Sequence, residues 1–224
     1  MAYSAKELGL DYYQFYDVPD VPLQKAIKTC GQFDNNRDIN CVVQKLDYFA
    51  NPVMKFSEPM VDKMSHLNFY RVSAAAPLIY RSVKITNQFG TQKIIIGKLT
   101  GILVPAQKIE QGSTFPRRTS HFAVYEVKRC SQVNKQVRLK DQFGQTSTTV
   151  LAPSAFAVPI RKKVGLRVYP VINPKAHLVI YQIIVKPFKK DIKTKDQFKL
   201  QSFSVYARTY LAAPTLKRGW TVIK

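Results

Sequence analysis

Apolar residues along this chain fall in short segments, broken by Gly, Pro, Asn and Asp, and several of them alternate with polar ones. In V-K-I-T-N-Q-F-G (Val83–Gly90) and V-R-L-K-D-Q-F-G (Val137–Gly144) the alternation has the period of a strand. Val83 and Ile85 then share one face, and Lys84 and Thr86 the other. Long helix-forming runs are sparse, while Val, Ile, Thr, Tyr and Phe are frequent, so the pattern predicts an all-β protein. Residues 1–10 read as a short helical turn or a loose arm.

The same segment recurs. Weaker copies stand at Ile192–Lys199 (I-K-T-K-D-Q-F-K) and Ile27–Asp34 (I-K-T-C-G-Q-F-D). Each is preceded by an opening segment ending in Tyr (Tyr16, Tyr70, Tyr125, Tyr181) and followed by a closing segment with Pro (Pro52, Pro105, Pro159, Pro214). The steps are 54, 55 and 56 for the tyrosines and 53, 54 and 55 for the prolines. Agreement at both ends identifies four tandem repeats. We place them at 1–55, 66–108, 121–163 and 177–218, with linkers 56–65, 109–120 and 164–176; the last linker is apolar enough to form a strand around Leu166–Val171. Each unit reads as four strands: opening, Q-F, return and closing. Turns are expected at Gly90-Thr91, Gly144-Gln145 and Asn35-Asn36. Phe89, Phe143 and Phe198 are expected to be buried equivalents. The units could pack as small sandwiches or barrels; four repeats of four strands also match the arithmetic of a four-bladed β-propeller.

The pattern H-x-x-x-Y, then V-x-x-x-(N/D)-Q-F-G, then L-x-V-P resembles an uncharacterised tandem β-repeat module common in secreted bacterial proteins. The resemblance spans roughly residues 12–218 and is closest in repeats two and three. In that module a cysteine before the opening tyrosine pairs with one two residues before the closing proline. The matching positions here are Phe15 and Ala50, Phe69 and Leu103, Val124 and Ala157, and Ile180 and Ala212, all apolar. If the pairing geometry carries over, opening and closing strands are neighbours or face each other across a core, which favours sandwiches or barrels over the propeller. The resemblance implies no activity.

With 224 residues, 46% hydrophobic and 12% aromatic, the chain is long and apolar enough to bury a core without staples. The net charge of +21 is uneven: residues 1–60 hold six Lys/Arg and eight Asp/Glu, residues 61–224 twenty-nine and six. Repeats two to four are therefore the basic part, and a field that large suits an acidic partner. Three cysteines are too few for a disulfide framework, and the first residues lack the apolar stretch of a secretory signal. The expectation is a reducing compartment, inside a cell or a virion, with no membrane span.

Candidate chemistry is thin. His66, His121 and His177 occupy one repeat position, where a structural role outweighs a metal site. Asp141 and Asp196 stand at the turn, where a carboxylate accepts local backbone hydrogen bonds. No G-x-S-x-G, P-loop, H-E-x-x-H or C-x-x-C motif is present. Cys30 and Cys41 face each other if the first hairpin turns symmetrically at Asn35-Asn36, as packed thiols rather than a bridge; Cys130 has no partner in sequence. The best lead is a cation four residues before each repeated Gln: Lys28, Lys84, Arg138 and Lys193, joined on the same faces by Lys140 and Lys195. Arg117-Arg118, Arg161-Lys162-Lys163 and six lysines between Lys186 and Lys199 add to the field.

These observations lead to a non-enzymatic structural or assembly protein without cofactors. It docks by shape and charge against an acidic protein or anionic surface, and a minor structural component of a virus particle or shell fits the pattern. The polyanion-binding residues are then Lys84, Arg138, Lys140, Lys193 and Lys195. The alternative is a nonspecific nucleic-acid or polyanion-binding protein.

Overall fold

A computed structural model describes residues 4–55, 58–76 and 78–223. After a one-turn helix α1 (Ala5–Leu8), capped reciprocally by Ser4 and Glu7, the chain is all strand: β1 (Tyr12–Gly31), β2 (Ile39–Lys55), β3 (His66–Ala74), β4 (Arg81–Asn87), β5 (Gly90–Lys108), β6 (His121–Arg129), β7 (Lys135–Asp141), β8 (Gly144–Val164), β9 (Arg167–Tyr169), β10 (His177–Lys195) and β11 (Leu200–Val222). β9 lies within the third linker and pairs with the end of β8.

Antiparallel pairing runs through eight strands and returns to its start: β1–β2–β3–β5–β6–β8–β10–β11–β1. Each repeat gives one opening and one closing strand to a single ring. The repeats therefore do not pack as separate small sandwiches or barrels, and they do not form propeller blades; all four share one barrel from which hairpins extend. Within each repeat the positions matched to paired cysteines are register partners: Phe15 with Ala50, Phe69 with Leu103, Val124 with Ala157, Ile180 with Ala212.

Why the ring strands are apolar on both faces is clear from their packing. Tyr13, Phe15, Ala50, Leu67, Leu103, Phe122, Val124, Ala157, Leu178, Ile180 and Ala212 form one small cluster drawn from all eight strands, the inside of the barrel. The alternate positions, among them Tyr16, Tyr70, Tyr125 and Tyr181, belong to a larger cluster shared with the hairpins. Segments such as Tyr12–Tyr16 are thus buried at every residue. The hairpin strand Lys135–Asp141, with one face in solvent, keeps the strict alternation.

The long strands change direction at bulges, for example between Asp17 and Lys25 in β1 and between Gln182 and Lys190 in β10. Beyond the bends each hairpin meets the end of a closing strand from the opposite repeat. Repeat one pairs Lys28–Gly31 with Lys163–Ile160, and repeat two pairs β4 with Leu216–Val222. Repeat three pairs Leu139 and Lys140 with Lys55 and Met54, and repeat four pairs Thr194 and Lys195 with Lys108 and Gln107.

The first hairpin corrects the expected cysteine register. Asn35 and Asn36 do take positive φ, but the loop is longer than a two-residue turn: Asp34 N bonds Gly31 O and Arg37 N bonds Asp34 O. Cys41 consequently faces Ile27, and Cys30 pairs across with Arg161. The Cys41 thiol lies 3.7 Å from the Thr29 hydroxyl, and all three cysteines are free.

Candidate functional site

The repeated polar residues lock the hairpins to the barrel. In Asp141 one carboxylate oxygen accepts the Phe143 N–H at 2.8 Å and the other the Tyr16 hydroxyl at 2.5 Å. Asp196 does the same for Phe198 N–H (2.7 Å) and the Tyr70 hydroxyl (2.5 Å). At Asn87 the roles reverse: its amide nitrogen donates to the Tyr181 oxygen at 2.8 Å. Repeat one has Gly31 in this place, which offers Tyr125 no side-chain partner. The same pairs meet through their rings. Phe143 lies edge-on to Tyr16, Phe198 to Tyr70, Phe33 to Tyr125 and Phe89 to Tyr181, with centroids 5.0–5.4 Å apart. Phe33 is fully buried, whereas Phe89, Phe143 and Phe198 are half-buried and so not the buried equivalents expected; a lysine covers each of the four rings.

Those lysines share one repeat position, which strand alternation alone does not single out. Three residues after each closing proline stands Lys55, Lys108, Lys162 or Lys217. Each ammonium sits over the Q-F ring of the next repeat around the chain. Lys55 covers Phe89 at 5.6 Å, Lys108 Phe143 at 5.2 Å, Lys162 Phe198 at 5.0 Å and Lys217 Phe33 at 5.9 Å. Lys162 is wholly buried between Phe198 and Tyr169, its nitrogen without a hydrogen bond. Burial pushes its pKa well below the ordinary lysine value, and that of Lys55 to about 8. Of Arg161-Lys162-Lys163 only the outer two reach solvent, and both hold Asp38, at 2.9 and 2.8 Å.

The histidines are held within this framework. Gln142 bonds His66 at 2.7 Å and Gln32 bonds His177 at 2.5 Å, while Gln197 approaches His121 outside hydrogen-bond geometry. His66 stacks on Phe49 and His177 on Phe156. Desolvation lowers His66 and His177 to about 4 and His121 well below its usual range, so the rings are neutral at pH 7. Among the described residues no group of three or more His, Cys, Asp or Glu could hold a metal ion.

The cations singled out by repeat position occupy the solvent faces of the hairpins. Lys28, Lys84, Arg138, Lys140, Lys193 and Lys195 are all exposed, and among the described residues none forms an ion pair. Lys84 faces Lys93 across its hairpin, and Lys28 faces Lys163, whose charge Asp38 already meets. Among the described residues no strand pairing joins the cations of one hairpin to those of another.

One large cleft opens at the mouth of the barrel. Its volume is about 950 Å³, and all eight ring strands contribute to its lining. Phe15, Tyr48, Phe69 and Tyr210 make the aromatic floor; Tyr48 meets Tyr210 and Phe69 edge-on at 5.4 and 5.5 Å. The repeats differ at one level: where repeats one and four carry Tyr48 and Tyr210, repeats two and three carry Gly101 and Ala155; Ala155 lines the cleft, and the Phe69 ring fills the space over Gly101. A side chain at Gly101 would meet the Phe69 ring at 2.3 Å, so the Phe69 ring requires that glycine.

No helix among the described residues is long and apolar enough to cross a membrane. No curated protein and no solved structure matches the chain. A family model, "Repeat of unknown function (DUF7450)", matches residues 66–213, which takes in repeats two and three and most of repeat four. With the repeats built alike and two thirds of the residues matched, the chain belongs to that family of repeats of unknown function.

Proposed function

We propose that this is a non-enzymatic assembly module that docks through the basic faces of its hairpins against an acidic protein or other anionic surface in a larger complex. The observation that carries the reading is positional: equivalent hairpins present Lys84, Arg138 with Lys140, and Lys193 with Lys195 to solvent, with no ion-pair partner among the described residues. The interlocked framework supports it, since rigid hairpins hold those charges at fixed spacing. A virus particle or similar shell is the kind of assembly that supplies such a partner.

The test compares two triple variants of equal charge. Lys84→Glu, Arg138→Glu and Lys193→Glu should abolish pull-down of acidic assembly partners and weaken retention on heparin. Arg117→Glu, Arg118→Glu and Lys175→Glu, exposed in the linkers, should leave the pull-down intact. Equal loss from both would mean that net charge alone acts, and the hairpin reading would fall. Tight, steeply salt-dependent binding of the parent to duplex DNA, with a log–log slope near −0.9 per phosphate neutralised, would favour the polyanion-binding alternative.

A further inference from the structure

The barrel mouth has a charge arrangement of its own. Seven charged residues line the cleft: Arg37, Arg71, Arg81 and Lys98 against Asp34, Asp47 and Glu126. All three carboxylates are engaged. Asp47 holds Arg71 at 2.8 Å and faces Lys45. Glu126 bonds Lys128 at 3.0 Å and accepts the Lys98 backbone N–H. Asp34 accepts the Gly31 N–H at 2.7 Å and lies within the field of Arg81. The cations are not all met. The side chains of Arg37 and Lys98 are exposed without an ion pair among the described residues. Arg81 is only 7% exposed; its terminal nitrogens bond the carbonyls of Ile79 and Phe33, and its Nε has no partner. A buried guanidinium nitrogen left unpaired beside a cleft costs free energy that an anionic group would recover.

We propose that the barrel mouth binds a small organic anion with an aromatic body. Its rings rest on Phe15, Tyr48, Phe69 and Tyr210, and its acidic group turns to Arg37, Lys98 and Arg81. The volume suits it, since pockets of several hundred Å³ with an apolar lining and a few polar groups are the usual form of such sites. Edge-on rings leave faces and edges free to stack on a flat guest. The small residue Ala155 keeps the floor open, and the hairpin faces used for docking play no part.

The probe is 1-anilinonaphthalene-8-sulfonate, with uncharged N-phenyl-1-naphthylamine as its partner, titrated by fluorescence into the full chain. The sulfonate should bind one-to-one and at least tenfold more tightly than the neutral amine. Ala155→Trp should fill the mouth and weaken both more than tenfold. Arg37→Ala with Lys98→Ala, on exposed side chains, should weaken the sulfonate about tenfold and leave the amine unchanged, with an unaltered thermal transition certifying the fold. The hairpin triple variant should bind the sulfonate as the parent does, which separates this site from the docking faces. Equal affinity for the two probes overturns the anion site. So does sulfonate binding that survives Ala155→Trp or falls with the hairpin variant.

Discussion

At the scale of single residues, the four repeats act as internal controls for one another. The Tyr16 and Tyr70 hydroxyls donate to buried carboxylates, whereas the equivalent repeat position offers Tyr125 only Gly31. Tyr16→Phe and Tyr70→Phe should each cost about 1–3 kcal/mol in urea unfolding, because each leaves a carboxylate short of a donor. Tyr125→Phe should lie within about 0.5 kcal/mol of the parent. The histidines give a second expectation. Their folded pKa values lie below the unfolded one, so between pH 6.5 and about 4 the unfolded chain binds more protons. Stability is therefore whole above about pH 6.5 and falls as pH drops toward 4, by on the order of 3 kcal/mol for each of His66 and His177. Repeat one carries Tyr12 at this position, so His177→Tyr should flatten the loss measured by urea midpoints between pH 7 and 4.5. Lys162 tests the buried amine: Lys162→Met should match or exceed the parent in stability, since an apolar chain of similar length fills the same space without desolvation.

At the scale of elements, the strands and the repeat period were legible in the sequence, and their reasons are physical. Alternation marks hairpin strands that have one wet face, as in Lys135–Asp141. The tip of the first hairpin was not legible, because a longer loop through Gly31, Asp34 and Arg37 shifts the register and parts Cys30 from Cys41. The recurrent lysine three residues after each closing proline was visible all along. A lysine in sequence suggests solvent, and nothing local reveals that the next repeat's phenylalanine covers it. The exposed cations were legible for the opposite reason: their faces are set by alternation alone. The mouth of the barrel needed the closed ring, since Tyr48, Phe69, Ala155 and Tyr210 come to line one cleft only when all four repeats meet. Two substitutions probe this scale. Phe143→Ala removes a ring packed on Tyr16 and Phe188 and should lower stability by about 3 kcal/mol. Gly101→Ala places a methyl against Phe69 and the Tyr70 carbonyl, and should destabilise by about 1–3 kcal/mol on thermal or urea melting.

At the scale of the whole molecule, the repeats are not a row of independent units. Each hairpin is completed by the closing strand of the opposite repeat, and each lysine by the ring of the next. Removing one unit leaves every other one short of a partner, unlike a solenoid, where a shorter array still folds. A chain ending at residue 176 should therefore show no cooperative thermal transition and no dispersed amide spectrum. The seal between Tyr13 of β1 and Ala212 of β11 has a further consequence, in time rather than in energy. The ring cannot close while the ribosome still holds the last strand, so the opening strand waits through the synthesis of some two hundred residues with its edge unpaired. Contacts that distant in sequence make folding slow and leave the growing chain open to aggregation. Its yield in a cell should depend on chaperones that shelter unfinished β edges, more than the stability of the finished barrel would suggest.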